Sequence, residues 1–156
     1  MGAARGVSRL IGSAHFKLAL PYDRPPKPLW GNARDGHWGQ RSKWSRIIRS
    51  DVKFLAREAK IPISTHLDVL LSWAPGDNRR RDADNMWPML KACCDGLARG
   101  NRHFVGLDLV PDDTSKWMTK HAPLIMAPNE CPVKGMWLDI WAQPVVAALI
   151  GEETRP

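Results

Sequence analysis

Cysteine is scarce in this chain: there are three, an odd number, and none are spaced Cys-x-x-Cys. Neither a secreted disulfide framework nor a zinc site is suggested. Cys93 and Cys94 are adjacent and read as buried thiols in a reducing compartment. No apolar run approaches the ~18 residues of a membrane helix. Met1 to Ser13 carries Arg5 and Arg9 but no apolar stretch or small-residue cleavage site, so a secretory signal is not expected. No internal repeat or low-complexity tract is present. Acidic residues are also short, with 16 Asp+Glu against 23 Lys+Arg, a formal charge of +7 and a pI near 9.7. That balance favours a polyanion or an acidic membrane surface as partner and leaves the fold open.

What is present suits one globular domain. The 156 residues are 44% hydrophobic and 25% charged, ordinary enough to argue against disorder along the whole chain. A length of this order buries a core without disulfide or metal staples. Tryptophan, at eight residues, is unusually frequent. Charge is divided unevenly: residues 1–60 hold 13 Lys+Arg and 4 Asp+Glu, whereas residues 61–156 hold 10 and 12. A basic half could bind an anion while the other holds carboxylates for chemistry.

Periodicity marks the elements. His15 to Leu20 alternates as a short strand that Pro21, Pro25, Pro26 and Pro28 end. A loop through Trp30, Asn32, His37 and Trp38 follows. Ser42 to Lys60 reads as a helix with Trp44, Ile47, Ile48, Val52, Leu55 and Ala59 on one face. Lys43, Arg46, Arg49, Lys53, Arg57 and Lys60 fall within roughly 120° on the opposite face, either a solvated charged face or one that meets phosphate. His66 to Trp73 alternates as the clearest strand. Met86, Met89, Leu90, Cys93, Cys94 and Leu97 define a second amphipathic helix, with Pro88 near its first turn and Gly100 as its stop. Lys116 to Met126 and Met136 to Ala142 read as strands of a long hairpin. The expected fold is a single α/β (α+β) domain over residues 15–145, with a mixed sheet of about four strands and two main helices. Residues 1–14 form a basic tail in this reading, and residues 146–156 a C-terminal one.

The chemistry concentrates in Arg79-Arg80-Arg81-Asp82-Ala83-Asp84-Asn85. Carboxylates at i and i+2 project to one face of an extended backbone. Mg2+ takes oxygen ligands and is usually held by one or two carboxylates plus phosphate. Three arginines beside two aspartates therefore make a self-consistent phosphate site. The plainer reading is that Asp84 or Asn85 caps the second helix. Asp112-Asp113 can return a third carboxylate to the same end, or simply form a turn after Pro111.

Arg80-Arg81-Asp82-Ala83-Asp84-Asn85, then Lys91, Asp95-Gly96-Leu97 and Val110-Pro111-Asp112-Asp113, resembles the RusA family of Holliday junction resolvases, especially those of bacteriophages and prophages. The likeness covers approximately residues 15–145, and the Pro-rich loop with Asn32, His37 and Trp38 fits it too. The resemblance implies metal ligation by Asp82, Asp84 and Asp113 and a catalytic lysine at Lys91, with Asn85 and Asp112 in support. Arg79, Arg80, Arg81, Lys43, Arg46, Arg49, Lys53 and Arg57 would hold DNA backbones. Lys91 departs from the family pattern, because it stands seven residues after Asp84 instead of one turn. Either an irregular turn containing Pro88 absorbs the difference, or a helix running straight from Asp84 carries Lys91 roughly 10 Å along its axis.

The implied activity is a Mg2+-dependent endodeoxyribonuclease, with Mn2+ able to substitute, that resolves four-way DNA junctions by paired symmetric nicks. In-line attack would leave a 5′ phosphate and a 3′ hydroxyl. Two symmetric nicks suit an isologous homodimer. No small-molecule cofactor and no membrane partner are expected, and the compartment would be the cytoplasm, that of the bacterial host if phage-encoded. The alternative is a protein that binds branched DNA without cutting it, against which the three carboxylates argue. A nucleotide-sugar transferase also uses Asp-x-Asp but lacks support from this length and the basic helix. Trp30, Trp38 and Trp44 are candidates for stacking at a branch point, or for core and interface.

Overall fold

The computed structural model describes residues 13–33 and 38–145. His37, most of the 1–14 tail and residues 146–156 lie outside them. Strand β1 (Ala14–Leu20) buries Leu18 and Leu20 and leaves the alternate side chains outward. The proline-rich segment after it makes a 3-10 turn at Lys27–Leu29 that buries Leu29. Helix α1 (Trp38–Glu58) is described from Trp38, ahead of the expected Ser42, because its first turn is exposed, Trp38 included, and so shows no buried periodicity to read. Lys60, at φ 56°, takes the left-handed conformation that ends it.

Strand β2 (Ser64–Ala74) turns Leu67, Val69, Leu71 and Trp73 into the core. After it a 3-10 turn (Ala83–Met86) precedes α2 (Trp87–Leu97). Pro88 thus falls in the first turn, where its missing N–H costs nothing. Two short strands, β3 (Gly100–Asn101) and β4 (Phe104–Val105), pair as a small hairpin inside the connector. The remaining strands are β5 (Met118–Lys120), β6 (Leu124–Ile125) and β7 (Gly135–Pro144).

The result is a single α+β domain with two main helices and a five-stranded mixed sheet, ordered β1-β7-β2-β5 with β6 also on β2. The sheet corrects one expectation. Residues 116–126 and 136–142 do not form a hairpin, because β7 lies antiparallel between β1 and β2, whereas β5 and β6 pair with the other edge of β2 in parallel. Parallel pairing needs a crossover, and α2 with its connector supplies it. The edge segment is split around Pro123, which has no N–H for the ladder. His121 and Met126 still donate their N–H groups to Val69 and Trp73 carbonyls at 2.9 and 2.8 Å.

The helices share one face of the sheet and cross closely at Gly96. A Cβ there would lie 2.8 Å from the Arg49 carbonyl oxygen and 3.3 Å from its Cα, which are backbone atoms that cannot rotate away. Gly96→Ala gains at most ~1 kcal/mol of helix propensity, but overpacking of this kind costs about 1–3 kcal/mol. We expect a net destabilisation on the order of 1 kcal/mol, seen as a lower urea midpoint at unchanged slope.

Candidate functional site

Asp113 is the centre of a charged cluster. Its Oδ2 accepts from Lys91 Nζ and Lys120 Nζ, both at 2.6 Å. Lys91 also donates to Asp95 Oδ1 at 2.7 Å, one turn further along α2, and Arg49 of α1 approaches the other Asp95 oxygen at 3.6 Å. A 3-10 turn at Ala83–Met86 leads directly into α2, and Lys91 on that helix reaches the Pro-Asp-Asp turn. Asp112 stabilises that turn by accepting from the Asp113 N–H at 2.8 Å. Arg49, Lys91, Asp95, Asp112 and Asp113 line a cavity of about 470 Å3.

The other two aspartates sit at the mouth of α2. Asp82 is the cap of the 3-10 turn, its Oδ1 accepting from the Asp84 N–H at 3.0 Å. Neither Asp84 nor Asn85 caps the second helix, whose N-cap is Met86 with no side-chain cap hydrogen bond. Asn85 instead anchors the proline-rich loop: its carbonyl accepts from Gly31 N and its Oδ1 from Asn32 N, at 3.1 and 3.2 Å. Tyr22 ties the same loop to α1 by donating to the Asp51 carboxylate. Asp82 lines a cavity with Arg80, Arg81 and Asn85, apart from the one that Asp113 lines. Among the described residues no three His, Cys, Asp or Glu side chains converge closely enough to hold a metal ion. Asp113 is drawn instead to the two ammonium groups. The donor chemistry of Asp82 and Asp84 nevertheless suits Mg2+. Both are exposed, neither has a salt-bridge partner among the described residues, and two carboxylates suffice for this ion when phosphate supplies further oxygens.

The basic residues separate into two groups. Arg79, Arg80, Lys43, Arg46 and Arg57 are exposed. Arg81 is not free: its guanidinium grips Asp77 at 2.5 and 3.0 Å and lies 4.9 Å over the Trp73 ring. Arg49 stacks 5.2 Å over Phe104, and Lys53 donates to the Val105 carbonyl at 2.9 Å. Arg81, Arg49 and Lys53, which the resemblance assigns to DNA backbones, thus each make an internal contact as well. The cause lies in how α1 is rotated: its buried stripe is Ile48, Val52 and Ala56, which turns one flank of the basic face onto the β3–β4 hairpin.

Lys120, Asp95 and Asp77 were not among the expected site residues. Lys91 and Asp95 are four apart on a helix, a spacing that signals their pairing. Lys120 has no such signal, since only the parallel β2–β5 pairing brings it to Asp113. Cys93 and Cys94 are buried as expected, and burial pushes the Cys94 thiol up to about 12. No described helix is long and apolar enough to cross a membrane.

No family model matches the chain. It is similar to a protein of Xylella fastidiosa (strain Temecula1) that carries the description "Uncharacterized protein": the two are 34% identical over 105 residues, which cover 62% of this chain and 67% of the relative. The fold is that of a single α+β domain, and the chain belongs to one family with that protein.

Burial alone would raise the Asp113 carboxyl, but the hydrogen bonds from Lys120 and Lys91 outweigh it and hold the group at about 2, below its ordinary 3.8. A depressed carboxylate adds stability above its unfolded value and loses it as pH falls through the folded one. Asp113 therefore loses its contribution between about pH 4 and pH 2. The Asp113 carboxyl carbon should titrate near 2 by NMR, and Lys120→Met should move it upward; a midpoint near the ordinary value in the unmodified protein would contradict the double contact.

Proposed function

We infer that this protein is a Mg2+-dependent endonuclease that resolves four-way DNA junctions as a homodimer. The observation that carries the reading is the 2.6 Å contact of Lys91 with Asp113. It unites two elements of the RusA-like pattern that are 22 residues apart in sequence, beside the C-terminal part of α2, whereas Asp82 and Asp84 stand at its other end. The exposed cations Arg79, Arg80, Lys43, Arg46 and Arg57 supply the sequence-independent attraction for DNA backbones.

In this reading Asp82 and Asp84 would hold the ion with phosphate oxygens, while Asp113, the third ligand that the resemblance implies, lines a separate cavity and is engaged by Lys91 and Lys120. Mg2+ bound there would neutralise phosphate charge and lower the pKa of a water. Lys91 and Lys120 perform two tasks. Their ammonium groups keep Asp113 ionised, and they present positive charge where a phosphoryl oxygen becomes more negative. Burial disfavours the charged Lys91, but its hydrogen bonds to Asp113 and Asp95 hold its pKa above the ordinary value, so it is a charge donor and not a base at neutral pH. Asp82 also fixes the turn that sets the spacing between the Asp pair and Lys91.

The test is cutting of a synthetic four-way junction in Mg2+. The wild-type protein should nick it symmetrically, and Asp84→Asn should lower the rate by about 100-fold or more while junction binding persists. Lys91→Met should also cut slowly. Binding should weaken steeply with added salt. A wild-type protein that binds junctions and leaves them intact in Mg2+ would instead be a branched-DNA binder, and unaffected cleavage by Asp82→Asn, Asp84→Asn and Asp113→Asn would remove the assigned site.

A further inference from the structure

Beside Asp82 lies a cavity of about 240 Å3 whose walls include Trp30, Trp73, Met86 and Arg81. That is smaller than the ~300–1,000 Å3 of sites for drug-sized ligands, and it offers room for one ring system. The indole N–H groups are already spent: Trp30 donates to the Pro25 carbonyl and Trp73 to the Asp23 carbonyl, each at 2.9 Å. The rings are therefore held in place; Trp73 is buried and covered by Arg81, and Trp30, half-buried, is the one with apolar surface left to offer. Arg81, fixed by Asp77, lays its planar guanidinium against Trp73 and adds a second flat, cationic surface. Asn85 lines the cavity with an amide whose oxygen is engaged by Asn32 N. Its NH2 has no acceptor among the described residues and remains as a donor.

A second, more polar cavity of about 560 Å3 shares Trp30, Trp73, Arg80 and Arg81 with the first. It adds Arg24, Arg79 and Lys134, and of its two acids Asp77 is already paired with Arg81. An aromatic slot that opens onto a cationic groove has the two chemistries of a nucleotide: a flat π surface and an anionic phosphate.

We propose that the slot takes one unpaired nucleobase of a DNA strand, with the flanking phosphates of that strand in the adjoining groove. The proposal rests on the nucleic-acid reading above and deepens it. A base seated here stands next to Asp82, so the slot would select the nucleotide beside the cleaved bond and give the enzyme a sequence preference that its backbone contacts cannot supply.

The test compares binding of four-way junctions in EDTA, each missing one base as an abasic site at successive positions around the branch point. One position should cost about tenfold in affinity, as loss of a single base–aromatic stack does. In Trp30→Ala the ratio between intact and abasic junctions at that position should collapse to about one, and in Trp30→Phe, which keeps a stacking ring, it should persist. No sensitive position, or a penalty that Trp30→Ala retains, would overturn the slot while leaving junction binding intact. If the wild-type protein binds no branched DNA, the same comparison on a short single strand separates the two readings: a Trp30-dependent base effect there upholds the slot without the junction, and its absence removes both.

Discussion

Strand β2 is hydrogen-bonded along both edges and buried on both faces, and the rest of the domain is arranged to meet that demand. Leu67 to Ala74 is buried without interruption. Backbone groups in such a position must find partners in neighbouring strands, because water cannot reach them. β7 serves one edge and β5 with β6 the other. The inner side chains meet the helices. On the outer face Leu70 packs with Trp141 and Leu124, and Asp68 lies 2.9 Å from His121 Nε2. A charged group so enclosed needs its partner, since an unpaired buried carboxylate is costly.

The same strand positions the chemistry. Its last turn of chain leads through Asp77 to the arginine run, and the Asp77–Arg81 pair, laid on Trp73, fixes where Asp82 begins the 3-10 turn. β5, aligned in parallel on β2, delivers Lys120 to Asp113. Lys91 arrives from α2, which is held against α1 by the close approach at Gly96. Two elements, α2 and β5, therefore converge on one carboxylate, and each is placed by backbone pairing or core packing and not by the ion pairs themselves. This division is expected, because partly exposed ion pairs contribute little to stability beside apolar burial.

Much of this was legible in advance. The alternation of β1 and β2 and the helical spacing of α1 and α2 each have a face to bury, so the pattern of residues reports them directly. Asp82, Asp84 and the Asp112-Asp113 pair stand out as candidates from residue type and spacing, whereas Lys91 is picked out only by the RusA-like pattern. Three things could not be read. The split edge segment at 116–126 hides its parallel partner, because pairing direction leaves no trace in a short apolar run. The rotation of α1 hides that Arg49 and Lys53 turn inward, since Trp44 and Ile47 are apolar yet only half-buried. The engagement of Arg81 depends on Asp77, which looks like an ordinary turn residue beside Gly76.

By itself the sequence determined the periods, the breaks and the inventory of charge. Those follow from local geometry: side chains alternate on a strand and recur every 3.6 residues on a helix, and proline withholds a donor wherever it stands. Only the tertiary structure decided which charges from different elements meet. An ion pair is set by distances of a few ångströms, and the distance between Lys120 and Asp113 is governed by the register of β5 on β2, not by the seven residues between them. The basic excess that marks the chain is thus two populations, one that faces outward and one that the fold has already used to hold its own carboxylates.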